Sequence, residues 1–82
     1  MLGISQWKEE LTKLDELAAL LAQAPPSPDS AIAQEHIQSA RSCVWEAMPD
    51  EYEFELKLAR SAIDHIDDAA TRRNAQKILS SL

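Results

Sequence analysis

The apolar positions fall into three stretches separated by prolines. In the first, Trp7, Leu11, Leu14, Ala18 and Leu21 step by four and three. Steps of that size return side chains to one side of a 3.6-residue turn. They predict a helix over residues 4–24 with a single apolar stripe, which Leu17, Leu20 and Ala24 widen. Ser5 suits the N-cap, since its hydroxyl can accept from a backbone N–H that the first turn leaves unpaired. Glu9 and Glu10 lie near the positive end of the helix dipole, and Glu9 is spaced to pair with Lys13 at i,i+4.

Residues 24–30, APPSPDS, are the clearest boundary. Pro25 and Pro26 remove backbone donors and turn the preceding residues away from helix. Ser27-Pro28-Asp29 then restarts one: a capping hydroxyl, a proline at the first position and an acid in the first turn. The second helix is expected over 28–47, with a stripe of Ala33, Ile37, Ala40, Val44 and Ala47 flanked by Ile32, His36 and Cys43. Three alanines make that stripe lean, so a neighbouring backbone can approach closely. Trp45 falls off the stripe. It either folds over the helix end or stands exposed as an anchor for a partner.

Met48-Pro49 is the second boundary, and Pro49 opens the longest stretch. Residues 51–58 alternate polar and apolar, as a half-buried strand would. The chain offers no second strand to pair with them, and their Glu, Leu and Lys content favours helix. As a helix, Tyr52, Leu56, Ala59, Ile63, Ile66 and Ala70 form one stripe, with Phe54, Leu58 and Ala62 beside it. After Ala70 the phase slips: the next apolar residue is Ala75, followed by Ile78, Leu79 and Leu82. A kink near residues 67–71 would explain the slip, with Asp67-Asp68 capping a short fourth helix. Because no Gly or Pro breaks the segment, and Arg72 and Arg73 suit a first turn poorly, one helix over 49–81 is the favoured expectation. It would be about 48 Å long, and its C-terminal third would overhang two shorter helices.

The expected fold is therefore all-α: a small antiparallel three-helix bundle with a long C-terminal helix, forming a single helical domain over residues 1–82. The expected core is Trp7, Leu11, Leu14, Ala18, Leu21, Ile37, Ala40, Val44, Leu56, Ala59, Ile63 and Ile66.

Composition narrows the function more than it names it. The 82 residues are 45% hydrophobic and 27% charged, a globular balance. A net charge of −6 disfavours binding to phosphate backbones or anionic membranes, so neither nucleic acid nor membrane is expected as a partner. The single Gly excludes a glycine-rich phosphate loop, and no cofactor is implied. One cysteine forms no internal disulfide and suits a reducing compartment. With no basic region leading into an apolar run at the N-terminus, a cytoplasmic location is expected.

Three groupings could carry chemistry. Asp64-His65-Ile66-Asp67-Asp68 holds potential metal ligands and could draw on Glu35 or His36. It lacks the inward Glu-x-x-His pairs of di-iron bundles, and a solvated acidic face with Asp68 pairing to Arg72 is the simpler expectation. Cys43 would need a base to act as a nucleophile, and His36 is the nearby candidate. Arg60 and His65, four residues between them, resemble the Arg-x4-His motif of HEPN-type helical ribonucleases. That resemblance implies a dimer in which Arg60 steadies a phosphate and His65 serves in acid–base catalysis.

The favoured expectation is a non-enzymatic interaction or assembly module, with no catalytic, cofactor or metal residues. Its partner-binding residues would be Phe54, Leu58, Ile78, Leu79 and Leu82, with Trp45 as anchor and Glu51, Glu53 and Glu55 setting orientation. A basic protein or a second copy in a homodimer would cover the face. The alternative is enzymatic: the Arg60/His65 ribonuclease or a carboxylate–His metal site.

Overall fold

Prolines set two of the three helix boundaries, and a side-chain cap sets the third. A computed structural model describes residues 4–82, with side chains from Lys8 onward. The expectations for Ser5 and Trp7 lie outside the described side chains. The chain is all-helical, with α1 (Ile4–Gln23), α2 (Pro28–Trp45), α3 (Pro49–Asp64) and α4 (Ala69–Ser80). Residues 51–58 are helical despite their alternation, and no strand occurs among the described residues.

The first two boundaries follow the proline chemistry. The Ser27 hydroxyl accepts from the Ser30 N–H at 3.1 Å, and Pro28 takes the first position of α2. The Leu21 carbonyl, near the end of α1, accepts from the Ser30 hydroxyl at 3.3 Å and from Gln34 Nε2 at 3.1 Å. The same carbonyl accepts from the Ala24 N–H at 3.3 Å, so α2 side chains join a backbone bond in closing the end of α1.

The single helix over 49–81 is corrected: α3 stops at Asp64 and α4 begins at Ala69. His65 and Ile66 donate their N–H groups to Ala62 and Ile63 at 3.1 and 3.0 Å, three residues back, which tightens and ends the helix. Asp68 then caps α4, its Oδ2 accepting from the Thr71 N–H at 3.0 Å and the Thr71 hydroxyl at 2.5 Å. Arg72 does not burden the first turn, nor does it pair with Asp68. Its long stem carries Nη1 back to the Ile66 carbonyl at 2.7 Å. The Thr71 hydroxyl, and then the Thr71 N–H, favour the charged Asp68 carboxylate and keep its carboxyl below the ordinary range.

Around the core, α2 packs against α1 and α3, and α4 packs against the same two helices. Leu14, Leu17 and Leu21 of α1 meet Ala33, Ile37, Ala40 and Val44 of α2. Tyr52, Ala59, Ala62 and Ile63 of α3, Ile66 of the junction, and Ala75 and Leu79 of α4 complete the cluster. Of the expected core, Leu11, Ala18 and Leu56 are half-buried against it rather than within it. Leu17, expected only to widen the α1 stripe, is fully buried. The expected overhang is overturned. With α4 packed on α1 and α3, Leu79 is 3% exposed, and Ile78 and Leu82 pack against the core. Lys13 does not remain with Glu9, because its Nζ donates to the Ser81 carbonyl at 2.7 Å and ties α1 to the end of α4.

Candidate interaction surface at the α2–α3 corner

The turn from α2 to α3 is made without a glycine. Ala47 takes φ 52°, in the left-handed region. The Met48 N–H donates to the Cys43 carbonyl at 3.0 Å and the Ala47 N–H to the Val44 carbonyl at 3.3 Å. This is the Schellman pattern, with alanine where glycine is usual. An L-residue held there costs about 1–2 kcal/mol. Pro49 then begins α3, and Asp50 and Glu51 face the positive end of its dipole.

The turn gathers acids that lie apart in sequence. Desolvation pushes the Cys43 thiol above its ordinary value, and the carboxylates of Glu55, Glu51 and Glu46 push it further. The neutral thiol is favoured, which opposes nucleophilic chemistry. His36 is also engaged: its Nδ1 lies 2.8 Å from Glu55 Oε2 across the α2–α3 contact. A carboxylate only accepts, so Nδ1 carries the hydrogen of that bond. His36 therefore holds two helices together rather than serving Cys43 as a base.

Two large apolar side chains stay in water on the helices that this turn joins. Trp45, the last residue of α2, is 69% exposed, and Phe54 is 58% exposed. Glu51 and Glu53 are exposed with them, Glu55 is half-buried in its pair with His36, and Leu58 is half-buried. The fold thus brings Trp45 and the acids to one corner, and it moves Ile78, Leu79 and Leu82 away into the α4 packing. On the other side of α3, Tyr52 is buried and its hydroxyl donates to a Glu10 carboxylate oxygen. Burial and that bond raise the phenol above its ordinary value. The position of Tyr52 in the stripe signalled burial, and a buried phenol needs a partner. Nothing in the spacing pointed to Glu10, because the link crosses from one helix to another.

The other groupings are placed as follows. Asp64 Oδ1 accepts from Gln76 Nε2 at 2.9 Å, and Asp68 serves as the α4 cap. Among the described residues, no three His, Cys, Asp or Glu groups converge as a metal would require. Arg60 and His65 are both exposed. His65 caps the end of α3, with its Nδ1 2.7 Å from the Ser61 carbonyl, so that nitrogen carries the hydrogen and Nε2 is left as the acceptor of the neutral ring. Arg41 Nε lies 2.8 Å from Asp15 Oδ1 but out of line for a hydrogen bond, so that pair is a charge contact between α1 and α2. No helix among the described residues is long and apolar enough to cross a membrane. In comparisons with known proteins, no family model, no curated protein and no solved structure matches the chain.

Proposed function

We propose that the protein is a small non-enzymatic interaction module that docks a basic protein partner at the α2–α3 corner. The observation that carries this is the exposure of Trp45 at 69%, on a turn where Glu46, Glu51 and Glu55 converge. An exposed Trp is a strong source of contact energy, and surrounding carboxylates steer and orient a basic partner. Phe54 and Glu53 extend the surface along α3. A cytoplasmic location belongs to this reading and is supported by the single, unpaired cysteine. So does an antiparallel helix arrangement. Leu21 meets Ser30 and Gln34 while Asp15 meets Arg41, and that opposite order supports it for α1 and α2.

Quantitative partner capture tests the proposal, comparing wild type with Trp45→Ala and Glu51→Lys. Basic proteins retained by wild type and lost from both variants support it. Equal recovery on all three removes the corner as the docking surface. The ribonuclease alternative has its own assay: RNA cleavage that vanishes in His65→Ala and persists in Trp45→Ala would replace the interaction module with an enzyme.

A further inference from the structure

The α3–α4 junction carries an inference that is independent of the α2–α3 corner. Residues 65–68 contain neither Gly nor Pro, and beyond Pro49 nothing in the chain to Ser80 forbids helix. The break is held by a few side-chain contacts. Asp68 takes the N–H and hydroxyl of Thr71 at 3.0 and 2.5 Å, Arg72 reaches the Ile66 carbonyl at 2.7 Å, and Gln76 reaches Asp64 at 2.9 Å. Continuous helix would replace these with main-chain bonds across the junction.

Length decides what happens to α4 in that form. One helix from Pro49 to Ser80 would be about 48 Å long. The longest dimension of the molecule is 36 Å. A straightened α4 therefore leaves its own α1. It takes Ala75 and Leu79 out of the core and uncovers the α1 and α3 surface on which they rest. A second copy repairs both exposures at once. Its α4 fits that surface, since every contact involved already exists within one chain. We propose that two copies exchange α4, forming a two-fold swapped dimer in which α3 and α4 run as one helix. The occupant of the vacated surface is the second copy's α4. Because the exchange is bimolecular, the closed monomer prevails at low concentration and the dimer grows with concentration.

Sedimentation from micromolar to millimolar concentration tests this, with folding checked by circular dichroism. Wild type is expected to show a concentration-dependent dimer. Asp68→Ala removes the cap that only the closed form uses and is expected to shift dimerisation roughly tenfold toward the dimer. Asp67→Pro forbids helix across the junction and is expected to stay monomeric throughout. Trp45→Ala is expected to dimerise as wild type does, which separates this dimer from the docking corner. Strictly monomeric wild type and Asp68→Ala at millimolar concentration would overturn the proposal. So would a dimer that persists in folded Asp67→Pro, because an ordinary surface contact would then be its cause. Should Asp67→Pro fail to fold, Asp67→Gly penalises the fused helix and is expected to weaken dimerisation several-fold. Unchanged dimerisation in that variant overturns the proposal equally.

Discussion

The helix is interrupted at two points that flank α3, by opposite means. At the α2–α3 corner the backbone itself ends the helix. Pro49 cannot donate to α2, and Ala47 accepts a left-handed conformation to close the Schellman bonds. At the α3–α4 junction every residue could continue the helix, and side chains end it: Asp68 caps, Arg72 reaches back, and Ile66 is buried at 3% exposure. The corner is a stop imposed by backbone chemistry and is fixed in any packing. The junction is a stop held by contacts, and it depends on α4 having α1 and α3 to lie against.

The largest expected effect tests that dependence. Ile66→Ala removes a buried anchor at the junction and should cost about 2–5 kcal/mol, a large part of the stability of a chain this size. Urea unfolding measures it. At the corner, Trp45→Ala should stay within about 0.5 kcal/mol, because the side chain is mostly in water. Comparable losses in the two variants would erase the contrast and place Trp45 in the fold rather than at a surface for partners.

Ala47→Gly sharpens the comparison from the other side. Glycine enters the left-handed region without the Cβ clash, though its unfolded chain is more flexible, so a net gain of about 0.5–1 kcal/mol is expected. A rise in melting temperature confirms strain at the corner. A fall would show that Ala47 is at ease there and that the turn stores none.

The same contrast explains what the sequence could show. Pro25, Pro28 and Pro49 announce their boundaries because a missing N–H acts locally. The four-three spacing likewise identified Leu14, Leu21, Ile37 and Ile63 as core, since one stripe suffices to define a buried face. The junction was only half legible. Asp68 was visible as a cap, but Arg72 and Arg73 argued against a new helix, and no spacing rule reveals that a guanidinium will reach the Ile66 carbonyl. Leu79 was misplaced for the same reason: once the break was missed, its stripe had nothing to rest on. At the corner, Trp45 stood out by its phase, whereas the convergence of Glu46, Glu51 and Glu55 on Cys43 required the geometry of the turn.

The junction and the α1–α3 contact at Tyr52 should also fail at opposite ends of the pH scale. Tyr52 is held above its ordinary value, first by burial and then by its bond to Glu10. A group whose folded pKa is raised stabilises fully below its unfolded pKa and loses that contribution as pH rises. Thermal stability should therefore decline above about pH 10, where the unfolded phenol ionises and the folded one does not. Tyr52→Phe should flatten that slope. If wild type and Tyr52→Phe respond alike to alkali, another group sets the alkaline limit.

Asp68 gives the smallest and most local effect. Its carboxyl is held below the ordinary range, chiefly by the Thr71 hydroxyl and then by the Thr71 N–H. A depressed folded pKa contributes stability above the unfolded value and loses it as pH falls through the folded one. Amide protection in α4 should thus weaken below about pH 4, ahead of α2, whose cap is the uncharged Ser27 hydroxyl. Asp68→Asn separates charge from geometry. The amide oxygen still accepts from Thr71, and asparagine caps about as well as aspartate, so α4 should keep its protection at neutral pH and lose the selective acid response. If α4 in Asp68→Asn still loosens before α2 in acid, the junction is not held by the Asp68 carboxylate. Its stop would then have to come from the packing of Ile66 and the reach of Arg72 alone.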